Sequence, residues 1–234
     1  MDKNTINLKD KIPDVRYLKD IKSVVYDKNW LKNSPDFELY YMYRGLEEKN
    51  NLRYDITIIP AKMLGQEFVK TKGHYHVGKF QEVYIVLEGK AIYLMQKSFD
   101  AAQDKENEEK IEDVFAVKAE KGQAIIIPPF YGHVTINPAK EDLKMANWVS
   151  KDCKNDYSLY EKNQGACYYF ILRRDSSSGQ VLRRDSSSGQ VLRRDSSSGQ
   201  ALPEWIKNNN YKNTPDLRFE KPLGSLPKNL DFLN

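Results

Sequence analysis

The chain has 234 residues, 40% of them apolar and 12% aromatic, enough to build a core and too rich in core formers for global disorder. Its formal charge of +4 is concentrated in residues 173–200, which hold six Arg and three Asp. The remainder carries 31 basic and 30 acidic residues, a balance that argues against a nucleic-acid surface.

In chain order, residues 1–36 form a polar N-terminal extension with no apolar core of a secretory signal. Within it, Ile12, Val15, Leu18 and Ile21 in "IPDVRYLKDIKSVVYD" predict one amphipathic helix. The stretch "FELYYMYRG" (37–45) is aromatic and strand-like. From residue 52 short runs rich in Ile, Val, Tyr and Phe follow closely: "LRYDITIIP", "EFVKT", "EVYIVLEG", "KAIYLMQ", "DVFAVKAEKG", "QAIIIPP", "HVTIN", "KMANWVS" and "ACYYFIL". Bounded by Gly, Pro, Asn or Asp, they read as the strands of an all-β sandwich or barrel over 37–172. "KSFDAAQDKENEEKIED" between two of them reads as a solvated loop or hairpin tip. Residues 173–200 carry a ten-residue repeat, with RRDSSSGQ recurring, whose three serines and one glycine per unit predict a flexible insertion. Residues 201–234 return to ordinary composition as a C-terminal arm, with Trp205, Tyr211, Leu217 and Phe219 available for packing. No apolar run approaches the length of about 18 residues that spans a bilayer, so a cytoplasmic protein without membrane partners is expected. Cys153 and Cys167 lack the spacing of a metal or redox pair and are expected as free thiols.

The chemistry concentrates in "TKGHYHVGKFQEVY" (71–84). It contains two of the chain's three histidines, and the third is His133. On a strand, residues two apart share a face, so His74 and His76 would project side by side as a pair of neutral nitrogen donors. Glu82 opens the strand "EVYIVLEG", and a turn at Gly78 could bring it back to the same pocket. His133 follows Pro128 and Pro129 and precedes Asn137. Three His and one carboxylate with open positions suit Fe²⁺, Mn²⁺, Ni²⁺ or Zn²⁺.

These motifs resemble the paired signatures of the cupins, whose fold is a double-stranded β-helix, or jelly-roll barrel. Glu82 to Gly89, Gly122 to Pro128, and His133 to Asn137 keep the cupin spacings. Two positions depart: five residues separate His76 from Glu82, and Phe130 stands where the pattern has glycine. More narrowly, "YDITIIPAKMLGQEFVKTKGHYH", "EVYIVLEGKA" and "IIIPPFYGHVTIN" are similar to the cupin-type, metal-dependent glucose-6-phosphate isomerases. That resemblance implies one divalent metal, iron first, on His74, His76, Glu82 and His133. It implies Glu82 and Tyr84 as catalytic residues. It also implies a phosphorylated sugar held by Thr57, Thr71, Gly73, Tyr84 and Tyr157, and a cytoplasmic homodimer of glycolysis and gluconeogenesis. Asn155 replaces a histidine of the family. Another metal cupin, such as a dioxygenase or sugar epimerase, and a non-catalytic sugar-binding cupin remain alternatives at this point.

Overall fold

The computed structural model describes residues 6–98, 110–173, 183–184, 191–192 and 201–233. Most of the charged excursion after Ser98 and most of the serine-rich repeat lie outside the described residues. The chain enters as strand β1 (Asp14–Tyr17), followed by a single helical turn, α1 (Leu18–Ile21), and a 3₁₀ turn over Lys22–Val24. The continuous amphipathic helix expected here does not form. Asp14–Tyr17 pair instead with β2 (Glu38–Lys49), and Ile12 is left exposed. The helix starts only where Asp20 reaches back to accept the Tyr17 N–H, at 2.9 Å, which satisfies one of the orphan donors of a helix start. Leu18, Ile21 and Val24 are then buried against the main core. A second short helix, α2 (Lys28–Lys32), is capped by Asp27, which accepts the Trp30 N–H at 2.9 Å.

β2 and β3 (Leu52–Ile59) form a hairpin in which Lys49 pairs with Leu52. Asn50 and Asn51 both have positive φ, at 49° and 60°, the conformation a two-residue turn between twisted strands requires. The chain continues through β4 (Met63–Leu64), β5 (Glu67–Phe68) and β6 (Tyr75–His76) into β7 (Glu82–Glu88) and β8 (Lys90–Ser98). β9 (Ile111–Glu120), β10 (Ala124–Ile127), β11 (Gly132–Ile136), β12 (Leu143–Ser150) and β13 (Asn155–Asp156) follow, then α3 (Ser158–Lys162) and β14 (Tyr168–Arg173).

One sheet has the order β1-β2-β3-β12-β7-β10, and the facing one contains β11-β8-β9. Residues 69–74 run along the free edge of β11, through the bridges Lys70 to Ile136 and His74 to His133. Two antiparallel sheets closed around a common interior, with β7 and β8 contiguous in sequence yet in different sheets, make the all-β cupin barrel expected from the sequence. Tyr93 and Met95 of β8, paired with Thr135 and His133 of β11, share its interior with Ile125 and Ile127 of β10.

Within the repeat, the short strands β15 (Arg183–Arg184) and β16 (Val191–Leu192) pair antiparallel. The C-terminal segment adds β17 (Leu202–Lys207), antiparallel to β14, and β18 (Arg218–Glu220), parallel to β9. Trp205 packs in a tilted ring pair 4.7 Å from Phe170 and Tyr211 is buried, whereas Phe219 is 53% exposed. Both cysteines are free and buried. Among the described residues no helix is long and apolar enough to cross a membrane.

Candidate active site

Strand alternation on the larger sheet decides what faces the barrel interior. β3 offers Arg53, Asp55 and Thr57 to the inner face. In register across β12 they lie opposite Val149, Asn147 and Met145. β7 continues the same rows, with Glu82 opposite Val149 and Tyr84 opposite Asn147. All eight residues line one pocket, and from the other side Thr71, Lys72, Gly73, His74, His76 and His133 close it. Residues widely separated in sequence therefore converge because three adjacent strands keep one register.

His74, His76, Glu82 and His133 bring one ligand atom each to within 4.8 Å of one another. The pair of rings expected side by side is found with centroids 5.4 Å apart, although only His76 belongs to a strand; His74 is fixed by its bridge to His133. The five-residue gap before Glu82 closes as a loop. Gly78 adopts a φ of 97°, the Val77 N–H donates to the Lys154 carbonyl at 2.9 Å, and β7 starts again at Glu82. The gap also contributes to the site. His76 Nδ1 lies 3.2 Å from the Phe80 carbonyl, so its N–H is directed there and Nε2 is left to face the pocket.

The donor chemistry of the four residues fits a metal ion. Glu82 Oε2 lies 3.3 Å from His76 Nε2 and 3.4 Å from His133 Nε2, yet it is a buried oxygen with no hydrogen-bond partner among the described residues. Carboxylate and imidazole electron pairs converging in this way need a positive charge among them. Burial, His76, Arg44 and Arg16 hold His74 down to about 3. Burial and the two other histidines hold His133 well below the usual imidazole value. Both rings are therefore neutral at physiological pH, the state that binds metals. Burial also pulls His76 down, but contacts with Cys153 and the Glu82 carboxylate outweigh it and push it up to about 10. The Glu82 carboxylate thus favours a positive charge at this cluster, a proton or a metal ion.

The remaining predicted residues surround this cluster. The Tyr84 hydroxyl is 3.4 Å from His133 Nε2, and burial, followed by the Glu82 charge, raises it well above the ordinary phenol value, which keeps it protonated. The Thr71 hydroxyl oxygen accepts the Thr135 N–H at 3.0 Å, which leaves its own hydrogen free to donate. Gly73 has a φ of 81°, and a Cβ there would come within 2.5 Å of Val134 and 2.6 Å of Tyr160, so the close backbone passage admits no side chain. Thr57 lies on the pocket wall. Tyr157 stands 5.6 Å from the His74 ring, and its hydroxyl accepts from Asn155 Nδ2 at 3.3 Å. Asn155 itself pairs with His76 across β13 and β6, beside the cluster.

Sequence reasoning missed several wall residues: Arg16, Tyr40, Arg44, Arg53, Asp55, Lys72 and Asn147. One signal was present. In "LRYDITII" the polar Arg53, Asp55 and Thr57 alternate with apolar Tyr54, Ile56 and Ile58, a period of two that marks one polar face. Phe130, where the cupin pattern has glycine, holds a φ of 68° that glycine would adopt without strain.

A family model described as "Glucose-6-phosphate isomerase (GPI)" matches residues 15–186. The glucose-6-phosphate isomerase of Pyrococcus abyssi (strain GE5 / Orsay) is 31% identical over 149 residues, covering 61% of this chain and 72% of that protein. The glucose-6-phosphate isomerase of Thermococcus onnurineus (strain NA1) is 28% identical over 154 residues, covering 63% of this chain and 75% of that protein. Among solved structures, an oxalate oxidase in complex with glycolate aligns at a TM-score of 0.31 and 15% identity, over 42% of this chain and 41% of its own. A mutant of Bacillus subtilis oxalate decarboxylase aligns at 0.36 and 16%, over 53% of this chain and 29% of its own.

Proposed function

This chain belongs to the glucose-6-phosphate isomerase family, and we propose that its barrel pocket interconverts glucose 6-phosphate and fructose 6-phosphate with a divalent cation bound by His74, His76, Glu82 and His133. The observation that carries the metal dependence is the buried, unpartnered Glu82 oxygen facing two imidazole nitrogens. A divalent cation there, iron in this reading, supplies Lewis acidity toward the C1 and C2 oxygens of the sugar.

The chain's own residues then have distinct tasks. The Glu82 carboxylate is the proton carrier of the pocket: one oxygen would hold the cation while the other takes a proton from one of the two carbons and returns it to the other. Tyr84, protonated and buried beside His133, donates a hydrogen bond to a sugar oxygen and orients the reacting end. The hydroxyls of Thr57 and Thr71 and the Gly73 amide gather donors for the phosphate, and Tyr157 covers the sugar from the His74 side. The buried walls exclude water from the carbon acid while it is deprotonated. In the same reading the enzyme acts in the cytoplasm as a homodimer, in glycolysis and gluconeogenesis. The 37–172 barrel carries the chemistry, and the 173–200 repeat is an insertion.

A coupled assay of metal-loaded protein with fructose 6-phosphate, accompanied by metal analysis, tests this reading. Turnover that disappears on chelation and returns with a divalent ion is expected. Protein with a filled site and no turnover would sink it.

A further inference from the structure

We infer that Arg16 is a specificity-determining residue of this pocket, supplying the guanidinium that binds the phosphate dianion of the substrate. The inference rests on the isomerase reading and extends it, because the donors assigned so far to the phosphate are neutral hydroxyls and an amide.

Four cationic side chains line the pocket: Arg16, Arg44, Arg53 and Lys72. Three of them have carboxylate partners. Arg53 Nε donates to Asp55 Oδ2 at 3.0 Å. Arg44 Nε donates to Asp14 at 3.0 Å, and its Nη1 stands 3.6 Å from Asp55. Lys72 Nζ is 2.5 Å from Glu161. Arg16 is different. Its Nε is buried, and among the described residues it has no hydrogen-bond partner. A buried guanidinium N–H without an acceptor is costly, and the cost is relieved when an anion arrives.

Its position fits that role. Arg16 lies directly opposite Tyr40 in the β1–β2 ladder, so the two side chains share the inner face. A register shift between Arg16 and Tyr17 follows, the kind of irregularity that re-aims a side chain at a strand edge. The Tyr40 hydroxyl accepts the Lys72 N–H at 3.3 Å, which sets this corner of the pocket between Thr71 and Gly73. The charge of Arg16 also reaches His74. A planar guanidinium here meets a phosphate beside the Thr71 hydroxyl with two parallel donors, a geometry an ammonium cannot reproduce. The N-terminal strand would thereby contribute the charge that separates phosphorylated from unphosphorylated sugars.

The test compares the metal-loaded full chain with its Arg16→Gln and Arg16→Lys variants, by calorimetric titration with 6-phosphogluconate, gluconate and inorganic phosphate and by steady-state kinetics on fructose 6-phosphate. Arg16→Gln is expected to weaken 6-phosphogluconate and inorganic phosphate by roughly 10- to 100-fold while leaving gluconate unchanged. KM should rise by a similar factor with kcat nearly kept, and Arg16→Lys, which retains the charge and the fold, should fall between. Binding of 6-phosphogluconate to Arg16→Gln within about twofold of the parent, or equal weakening of gluconate, overturns the inference. If Arg16→Gln does not fold, a 6-phosphogluconate affinity of Arg16→Lys equal to the parent's overturns it. A parent that binds phosphate through Arg16 yet does not turn over fructose 6-phosphate would refute the isomerase reading and leave the anion site standing.

Discussion

Strand β3 sends Arg53, Asp55 and Thr57 into the pocket and Tyr54, Ile56 and Ile58 into a second apolar cluster on the outside of the same sheet. Trp148, Ala146, Val83 and Leu87 belong to that outer cluster, and Leu226, Leu230, Phe232 and Leu233 of the C-terminal segment pack over it. Both faces are closed to solvent: Asp55 is 3% exposed and Ile56 1%. Burial therefore does not separate the functional face from the structural one. The difference lies in what the buried atoms require. The outer residues are mostly apolar and need contact, whereas the inner ones include polar groups held by one another or by backbone, and a Glu82 oxygen with no hydrogen-bond partner among the described residues.

That contrast predicts two different kinds of loss. The largest is expected at Glu82→Gln, which keeps the volume and removes the charge. Turnover should fall by roughly 100- to 10,000-fold, with the thermal midpoint of the metal-free protein unchanged or higher once a buried carboxylate is gone. Surviving turnover would show that Glu82 is neither proton carrier nor necessary ligand. The outer face should behave in the opposite way. Trp148→Ala removes a side chain that is 2% exposed and packs 5.1 Å from Tyr54, and denaturant titration should show a loss of about 3–5 kcal/mol. Its kcat, measured on the folded fraction, should stay near the parent value; a collapse of kcat would mean the faces are not separable.

Gly73→Ala lies where the two requirements meet. The added Cβ faces both a positive φ and contacts as close as 2.5 Å, so a destabilisation of about 1–3 kcal/mol is expected, together with a raised KM. A stable variant of ordinary KM would remove Gly73 from the phosphate site. The smallest effect is expected outside both faces. Arg173 pairs with Leu202 across β14 and β17, so the intervening repeat leaves and re-enters at adjacent points of one hairpin. Replacing 174–200 with a short turn should change turnover little and stability by less than about 0.5 kcal/mol, measured by assay and thermal melting. A large loss in either would give the repeat a part in the barrel.

Much of the candidate site is legible as residue types at short spacings. His74 and His76, Glu82 at the head of an apolar strand, and His133 after a proline pair can be picked out without coordinates, because metal ligation needs those donors and strand alternation lets neighbours share a face. The same local logic fails in the N-terminal region. Val15, Leu18 and Ile21 have helical spacing, but Val15 is drawn into a ladder with Tyr41, a partner 26 positions away, and the helix is reduced to one turn. Arg16 is lost from view by that misreading, since its inner-face position exists only in the strand.

The short-range pattern of this chain suffices for its all-β class, its run of strands and the identity of its histidine and carboxylate donors. Those features depend on spacings of two to six residues. What required the folded barrel was the convergence: the loop that returns Glu82 to the histidines, the Phe80 carbonyl that orients His76, and the row that aligns Asp55, Asn147 and Tyr84. Each follows from pairing between strands distant in sequence. A shift of one residue in any of those pairings would exchange the polar face for the apolar one.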